Sequence, residues 1–413
     1  MTGTVRDTAL LPSASDPGAP RSWVLIGNPE CRRVLLFREA LTRAGLPPAR
    51  LVPWLELLRR RVQLAQVVRR GDGVRIESPG RNWEVERALL ERGADVSDEA
   101  PFARISPAMA RELCPDRGRI VCSRQWYLGF RSVLEQIERE LSECPRHTRM
   151  QEPGEIARMF DKPECQAGLR AAGVPVPRTL GVPESYEELL ARMEQTDCRR
   201  VFVKLAHGSS ASGVVAYQTD GVRHQAMTTV ETVRSGGELL LYNTRRLRLY
   251  RDPCGIAELV DALCRHRVHA EQWLPKAGIS GHTFDLRVLV IGGRVRHMVP
   301  RLSRTPMTNL HLLNRRGDLE AVRERLRVEA WEAMRETCRR AAAHFPRSLH
   351  AGLDVLISPD FRRHAVLEVN AFGDLLPGIT CDGRDTYADE LAAVGATRTG
   401  SVLGGEPCSA LAS

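Results

Sequence analysis

Lysine is nearly missing from this 413-residue chain. Lys162, Lys204 and Lys276 are the three among 60 Lys+Arg residues, the other 57 being arginine. The two residues often interchange on a solvated surface, but a compact ammonium on a flexible stem fits a tight phosphate site differently from a planar guanidinium. The few lysines therefore mark positions to inspect, codon-level chance being the plain alternative for any one of them. Other absences exclude whole classes. The eleven cysteines, from Cys31 to Cys408, form no C-x-x-C and no Cys/His cluster with zinc spacing, so they read as buried or idle thiols in a reducing compartment. No apolar run approaches the roughly 20 residues of a membrane span. The N-terminal stretch offers only Ala9-Leu10-Leu11, too short for a secretory signal, and a cytoplasmic location is expected. No G-K-[ST] is present to close a Walker A loop. Basic and aromatic residues do not interleave as in specific RNA readers, which argues against nucleic acid as a partner. The net charge of +9 is a mild bias that fits an anionic ligand without proving one.

What is present suits a soluble globular protein of two or three domains, with 43% hydrophobic and 27% charged residues. Residues 1–21, rich in Pro, Ser, Ala and Thr, read as a disordered tail. Residues 22–150 alternate strand-like runs (Trp23–Gly27, Val74–Glu77) with helical stretches (to about Ala44, Trp83–Arg92, Arg124–Leu141), the pattern of a parallel α/β sheet covered by helices. The stretch 144–153 reads as a linker. A second domain, 151–395, carries strand-like runs at Val201–Leu205, Phe284–Ile291, Val295–Val299, Leu353–Ile357 and Ala365–Val369. Apolar spacing over Leu319–Phe345 predicts one long helix. Residues 217–269 are read as a solvated insertion, with substrate binding by the arginine-rich 245–251 as the alternative. Residues 396–413 read as a flexible tail.

The chemistry gathers in a few places. Leu353–Ile357 and Val366–Asn370 flank a turn-like Ser358–Arg363, which predicts a hairpin. With its turn centred on Phe361, Asp354 faces Glu368, and cross-strand Cβ atoms lie only about 4.5–5.5 Å apart. Two carboxylates that close repel unless a cation lies between them. Asn370 shares their face, and the three oxygen donors suit Mg²⁺ (Mn²⁺ being an alternative) bridging to phosphates. An edge hairpin with a solvated polar face is the plainer alternative. Val201–Lys204 is a strand tipped by a lysine, and it feeds the loop Gly208-Ser209-Ser210-Ala211-Ser212-Gly213, whose small residues let backbone N–H groups surround phosphate oxygens. Asp161-Lys162 precedes Gly173-Val174-Pro175-Val176-Pro177-Arg178-Thr179. Glu271-Gln272-Trp273-Leu274 is followed by Phe284-Asp285-Leu286-Arg287, where Asp285 and Arg287 share a strand face, as a salt-bridged pair or around a common ligand. With Gly292-Gly293 as a two-residue hairpin turn, Arg301 faces away from Asp285.

Taken in order over about 151–380, these motifs resemble the ATP-grasp superfamily, with the glutathione synthetase and ribosomal-protein glutamate ligase branch the nearest likeness. The resemblance implies an α/β (α+β ATP-grasp) fold preceded by a Rossmann-like N-terminal domain. It implies Lys162 and Lys204 on the α- and β-phosphates, the Gly208–Gly213 loop (Gly208, Ser209, Ser210, Gly213) as a lid, and the hinge Glu271, Gln272, Trp273 and Leu274 at the adenine. Asp285 would then contact the ribose, Asp354, Glu368 and Asn370 would hold the metal, and Arg287 and Arg301 would face the transferring phosphoryl group. It further implies an ADP-forming carboxylate–amine ligase for an amino acid or peptide, with an ATP-grasp kinase or a non-catalytic nucleotide-binding module as rivals. A homodimer is allowed by the sequence. Three departures stand out. Ala211 replaces a frequent glycine and implies a stiffer lid. The hinge reads Glu-Gln-Trp instead of Gln-Glu-Tyr. Lys276, in the loop after the hinge, is expected to have no special role.

Overall fold

The computed structural model describes residues 19–80, 82–98, 101–209 and 211–399. Three sheets organise them. The first is parallel, in the order Arg50–Val52, Trp23–Ile26, Gly73–Ile76, Thr148–Arg149. Its strands are apolar runs because helices such as Arg32–Arg43 cover them, and parallel strands need such crossovers. Its fourth strand, Thr148–Arg149, lies within the stretch expected to be a linker.

The second sheet is antiparallel, ordered Thr179–Gly181, Val268–Gln272, Arg200–Leu205, Val214–Thr219, His224–Ser235, Glu238–Tyr250. The expected solvated insertion is corrected here. Residues 217–269 supply two strands of this sheet and the helix Pro253–Cys264, which buries Ile256, Leu259, Val260 and Leu263 in the sheet's core. The third sheet is antiparallel, ordered Arg315–Arg316, Arg294–Ser303, His282–Ile291, His350–Ile357, His364–Asn370.

The single helix expected over Leu319–Phe345 is two, Leu319–Arg325 and Val328–Ala343. Leu326 leaves helical geometry (ψ 134°) while burying its side chain, so the apolar period runs on through a broken backbone. The last helix runs from Thr386 to Thr399, four residues into the expected tail. The expected tail residues 1–18 and 400–413 lie outside the described residues. Among the described residues no helix is long and apolar enough to cross a membrane, and all ten cysteines are free.

Candidate nucleotide and metal site

The second and third sheets face each other across a cleft of about 770 Å³, which the loops and helix following the first sheet's strands also line through Asn28, Arg33 and Ser78. The floor is the hairpin His350–Ile357/His364–Asn370. Asp354 does pair with Glu368, but not by the expected route. The turn closes on Ile357–His364 and Val355–Val366, one residue out of step with Asp354–Glu368 and Gly352–Asn370. In the turn's register Asp354 would pair with Leu367, and Glu368 would point to the other face. A bulge between these registers restores the pair.

A second bulge places Arg301. Gly292-Gly293 is the expected two-residue turn, with Ile291 opposite Arg294. The register then shifts between Val290 and Leu289, so Asp285 pairs with Arg301 instead of Pro300. The expectation that Arg301 faces away is therefore corrected. Arg301 Nε donates to Asp285 Oδ1 at 2.7 Å, and Nη2 lies 2.9 Å from Asp354 Oδ2. Arg287, directly opposite Asp354, brings Nε within 3.1 Å of its Oδ1.

The opposite wall carries two lysines. Asp161 caps the helix Lys162–Ala171 by accepting from the Glu164 N–H, and its other oxygen takes His207 Nε2 at 3.0 Å and Arg267 at 2.7 Å. That anchors the first residue of the helix, Lys162. Its Nζ donates to the Gly208 carbonyl at 2.5 Å and reaches Glu368 Oε1 at 3.2 Å, joining the glycine-bracketed loop, the helix and the floor. Lys204 Nζ donates to Glu271 Oε1, and Gln166 Nε2 holds the other oxygen at 3.0 Å. The side chain of Glu271 thus serves Lys204.

The electrostatics follow from burial against pairing. Burial alone would raise the Glu271 carboxyl, yet Lys204 and His269 hold it down at about 2. Burial works likewise against Glu368, but Lys162, Lys204 and Arg287 keep it below the usual range. Asp285 is held well below that range by Arg301 and Lys276, against its burial. Burial lowers the Lys276 ammonium, with Asp285 opposing.

Lys276 corrects another expectation. It lines the cleft, keeps 8% of its side chain exposed, and donates to Asp285 Oδ2 at 3.0 Å and Thr308 Oγ1 at 2.7 Å. The signal was in the composition, since it is one of only three lysines. Thr308 itself carried no sequence signal.

Among the described residues, every expected site residue lines the cleft except Gly213 and Trp273. Gly213 ends its loop at φ 63°, and the Trp273 ring packs on Phe202 at 5.5 Å. Ser210 lies outside the described residues. Ala211 sits at φ 60°, in the left-handed region that favours glycine, and its carbonyl accepts from Thr229 Oγ1 at 2.8 Å. The Gln272 N–H donates to the Arg178 carbonyl at 2.8 Å.

No family model matches the chain, and no curated protein matches it. Solved structures do. The ATP-grasp ligase PsnB, complexed with a minimal precursor, Mg and ADP, is 17% identical over 92% of this chain and 99% of its own, with a TM-score of 0.50. The D-cycloserine synthetase DcsG is 15% identical over 90% and 98%, with a TM-score of 0.51. The ADP complex of purK, an N5-carboxyaminoimidazole ribonucleotide synthetase, is 12% identical over 92% and 78%, with a TM-score of 0.51. The chain therefore has the fold of these ATP-grasp ligases, a mixed α/β architecture with the parallel sheet in front.

Proposed function

We propose that this protein is a Mg·ATP-dependent, ADP-forming carboxylate–amine ligase acting on an amino acid or a peptide. The observation that carries this reading is the cleft floor. Asp354 and Glu368 are direct cross-strand partners, Asn370 lies on the same hairpin, and four cationic side chains converge on the two carboxylates. The donor set fits a hard divalent cation. Asp354 Oδ1 is buried and accepts no hydrogen bond of good alignment, which leaves an acceptor for an ion. Mg²⁺, held by Asp354, Glu368 and Asn370, would neutralise phosphate charge.

The chain's own residues then have separable tasks. Lys162 and Lys204 hold the α- and β-phosphates, and their bonds to Gly208 and Glu271 fix where the ammonium groups point. The Gly208–Gly213 loop covers the phosphates and excludes water. Gln272 and Leu274 present backbone to the adenine, and Asp285 faces the ribose. Arg287 and Arg301 stabilise charge on the transferring phosphoryl group, their planes set by Asp354 and Asp285. A substrate carboxylate oxygen attacks the γ-phosphorus and ADP leaves, giving an acyl phosphate. An amine attacks the acyl carbon, the C–O bond breaks, phosphate leaves with its electron pair, and the nitrogen loses a proton. Both reacting groups belong to substrates, so the protein's work is positioning and electrostatics. That PsnB was solved with a minimal precursor, Mg and ADP supports Mg and an adenine nucleotide as ligands here.

The test is thermal unfolding of wild type and Glu368→Ala with and without Mg·ATP. Ligand at about 100 times its Kd should stabilise the wild type by about 2.7 kcal/mol and the variant by much less. ADP release is then followed with candidate acids and amines. Release that needs no amine would make the protein a kinase, and binding without turnover would make it a nucleotide-binding module.

A further inference from the structure

A guanidinium with no exposed surface sits where the first sheet meets the third. Arg75, on the strand Gly73–Ile76, gives Nε to Glu77 Oε1 at 2.6 Å, Nη1 to Glu390 Oε2 and Nη2 to Asp374 Oδ2. It lies over the rings of Phe37 (4.6 Å) and Tyr387 (5.3 Å). Arg33 adds a second guanidinium, 3.4 Å from Asp374 Oδ1, and donates to the Phe372 carbonyl at 2.7 Å. Asp374 and Phe372 belong to the segment Ala371–Pro377, which follows Asn370 directly and contributes a wall of the cleft. This segment crosses the strand of Asp354 at van der Waals contact, since a Cβ built on Gly352 would lie 2.5 Å from Gly373 Cα.

Two guanidiniums here face three carboxylates. The sixth member is His350, whose Nε2 lies 3.1 Å from the Ala371 carbonyl and 3.4 Å from the Gln151 amide nitrogen. The carbonyl is the nearer of the two and only accepts, so Nε2 gives it the ring proton and Nδ1 offers a lone pair. Glu390 Oε1 is 3.3 Å from that Nδ1. Both atoms are buried, and neither has a hydrogen-bond partner among the described residues. Two acceptors facing each other call for one proton.

We propose that Arg75 is a positioning residue for the cleft, acting through Asp374 on Ala371–Pro377, and that Glu390 is carried as a neutral acid whose Oε1–H donates to His350 Nδ1. The proton makes the cluster neutral: Arg75 and Arg33 against Glu77 and Asp374. A surplus carboxylate sealed from water would be costly. Burial pushes the Glu390 carboxyl up to about 8, Arg75 pulling the other way, and burial holds the His350 imidazole down at about 4. The groups around Glu390 are Arg75 and Glu77 on the first sheet, Arg33 on the first helix, and Asp374 in the crossing segment. From the third sheet come His350 and His297, the latter bonded to Asp389 at 2.8 Å, and the last helix adds Tyr387 and Asp389. The His350, Asp374 and Glu390 ligand atoms lie within 4.8 Å of one another, as a metal would require. A divalent ion there would add two positive charges beside two guanidiniums, whereas a proton completes the balance.

Glu390→Gln separates these cases, because an amide N–H can donate to His350 while its oxygen accepts from Arg75. Thermal unfolding of the full chain without nucleotide, from about pH 6 to 9.5, reads the proton. The folded-state acid is raised above its unfolded value, so its stabilisation, full below the unfolded carboxyl range, is lost as pH rises from there to about 8 and is flat above. The wild type should show this loss toward alkaline pH and Glu390→Gln should not. At pH 7 the Gln variant should melt within about 2 °C of wild type, whereas Asp374→Asn should lose more than about 5 °C. A Gln variant as damaged as Asp374→Asn, or one that keeps the alkaline loss, overturns the proton. So does a wild-type melting point that falls on adding EDTA. The positioning role rests on the Mg·ATP reading and is measured separately. Asp374→Asn and Arg75→Met should bind Mg·ATP at least about 10-fold more weakly, with Glu390→Gln unchanged. Wild-type affinity in whichever of the two folds would overturn it. If the wild type itself binds no Mg·ATP, that reading and the positioning role fail together, while the pH comparison still decides the proton.

Discussion

Two clusters of opposed charges lie a few residues apart in this fold, and they differ in access to water. In the cleft, Lys162, Arg287 and Glu368 keep 15%, 18% and 27% of their side-chain surface exposed, around Asp354 and Arg301 at 6% and 4%. Around Arg75, the side chains of Arg75, Glu77, Asp374, Glu390 and His350 keep none, and Arg33 at the rim keeps 23%. Partly open ion pairs can exchange a partner for a phosphate or a cation without leaving a charge stranded. Sealed pairs cannot, because breaking one leaves an uncompensated charge in low dielectric. Burial depth, more than the number of ion pairs, separates a network suited to binding from one suited to holding domains in place.

The largest expected effect should come from the sealed cluster. Arg75→Met leaves carboxylates unpaired and should cost about 3–5 kcal/mol in urea denaturation. A loss under about 1 kcal/mol would break the contrast. The open cluster should behave in the opposite way. Glu368→Ala should change stability without ligand by no more than about 1 kcal/mol while abolishing the stabilisation of about 2.7 kcal/mol from saturating Mg·ATP.

The two clusters should also lose stability in opposite directions of pH change. Glu271 is depressed to about 2, so the stability it contributes is present above the unfolded carboxyl range and is lost as pH falls toward that value. Glu271→Gln should flatten this acid limb by an amount on the order of 1–2 kcal/mol in pH-dependent unfolding, whereas Glu390→Gln should flatten only the alkaline one. The smallest effect is expected at the lid. Ala211→Gly relieves the left-handed backbone but adds freedom to the unfolded chain, so net stability should move by less than about 1 kcal/mol. The more pliant loop should release nucleotide faster in stopped-flow measurements. An unchanged release rate would argue that the loop's stiffness is set elsewhere, as by Thr229 on the Ala211 carbonyl.

Much of the site was legible because its residues interrupt local patterns. Asp354 and Glu368 break apolar strands, Lys162 and Lys204 stand out among arginines, and glycines bracket the lid. The bulges were not legible. Each inserts one residue that a period of two does not register, and each flips a functional side chain from one face to the other. The route to Asp354–Glu368 was therefore misjudged with the pair intact, and Arg301 was assigned to the wrong face. Lys276 was passed over because its partners, Asp285 and Thr308, are brought to it only by the third sheet.

The sequence by itself determined the strand-and-helix alternation of the first sheet, the hairpin that bears the acidic pair, and the kind of chemistry its polar residues can support. These depend on spacing within a few residues. Only the tertiary structure decided strand register at the bulges and the packing of residues 217–269 into the second core. It alone assembled the Arg75 cluster, in which Arg75 and Glu390 are 315 positions apart. Charge balance in a sealed space is a property of everything that closes around it, and no local pattern in the chain encodes that sum.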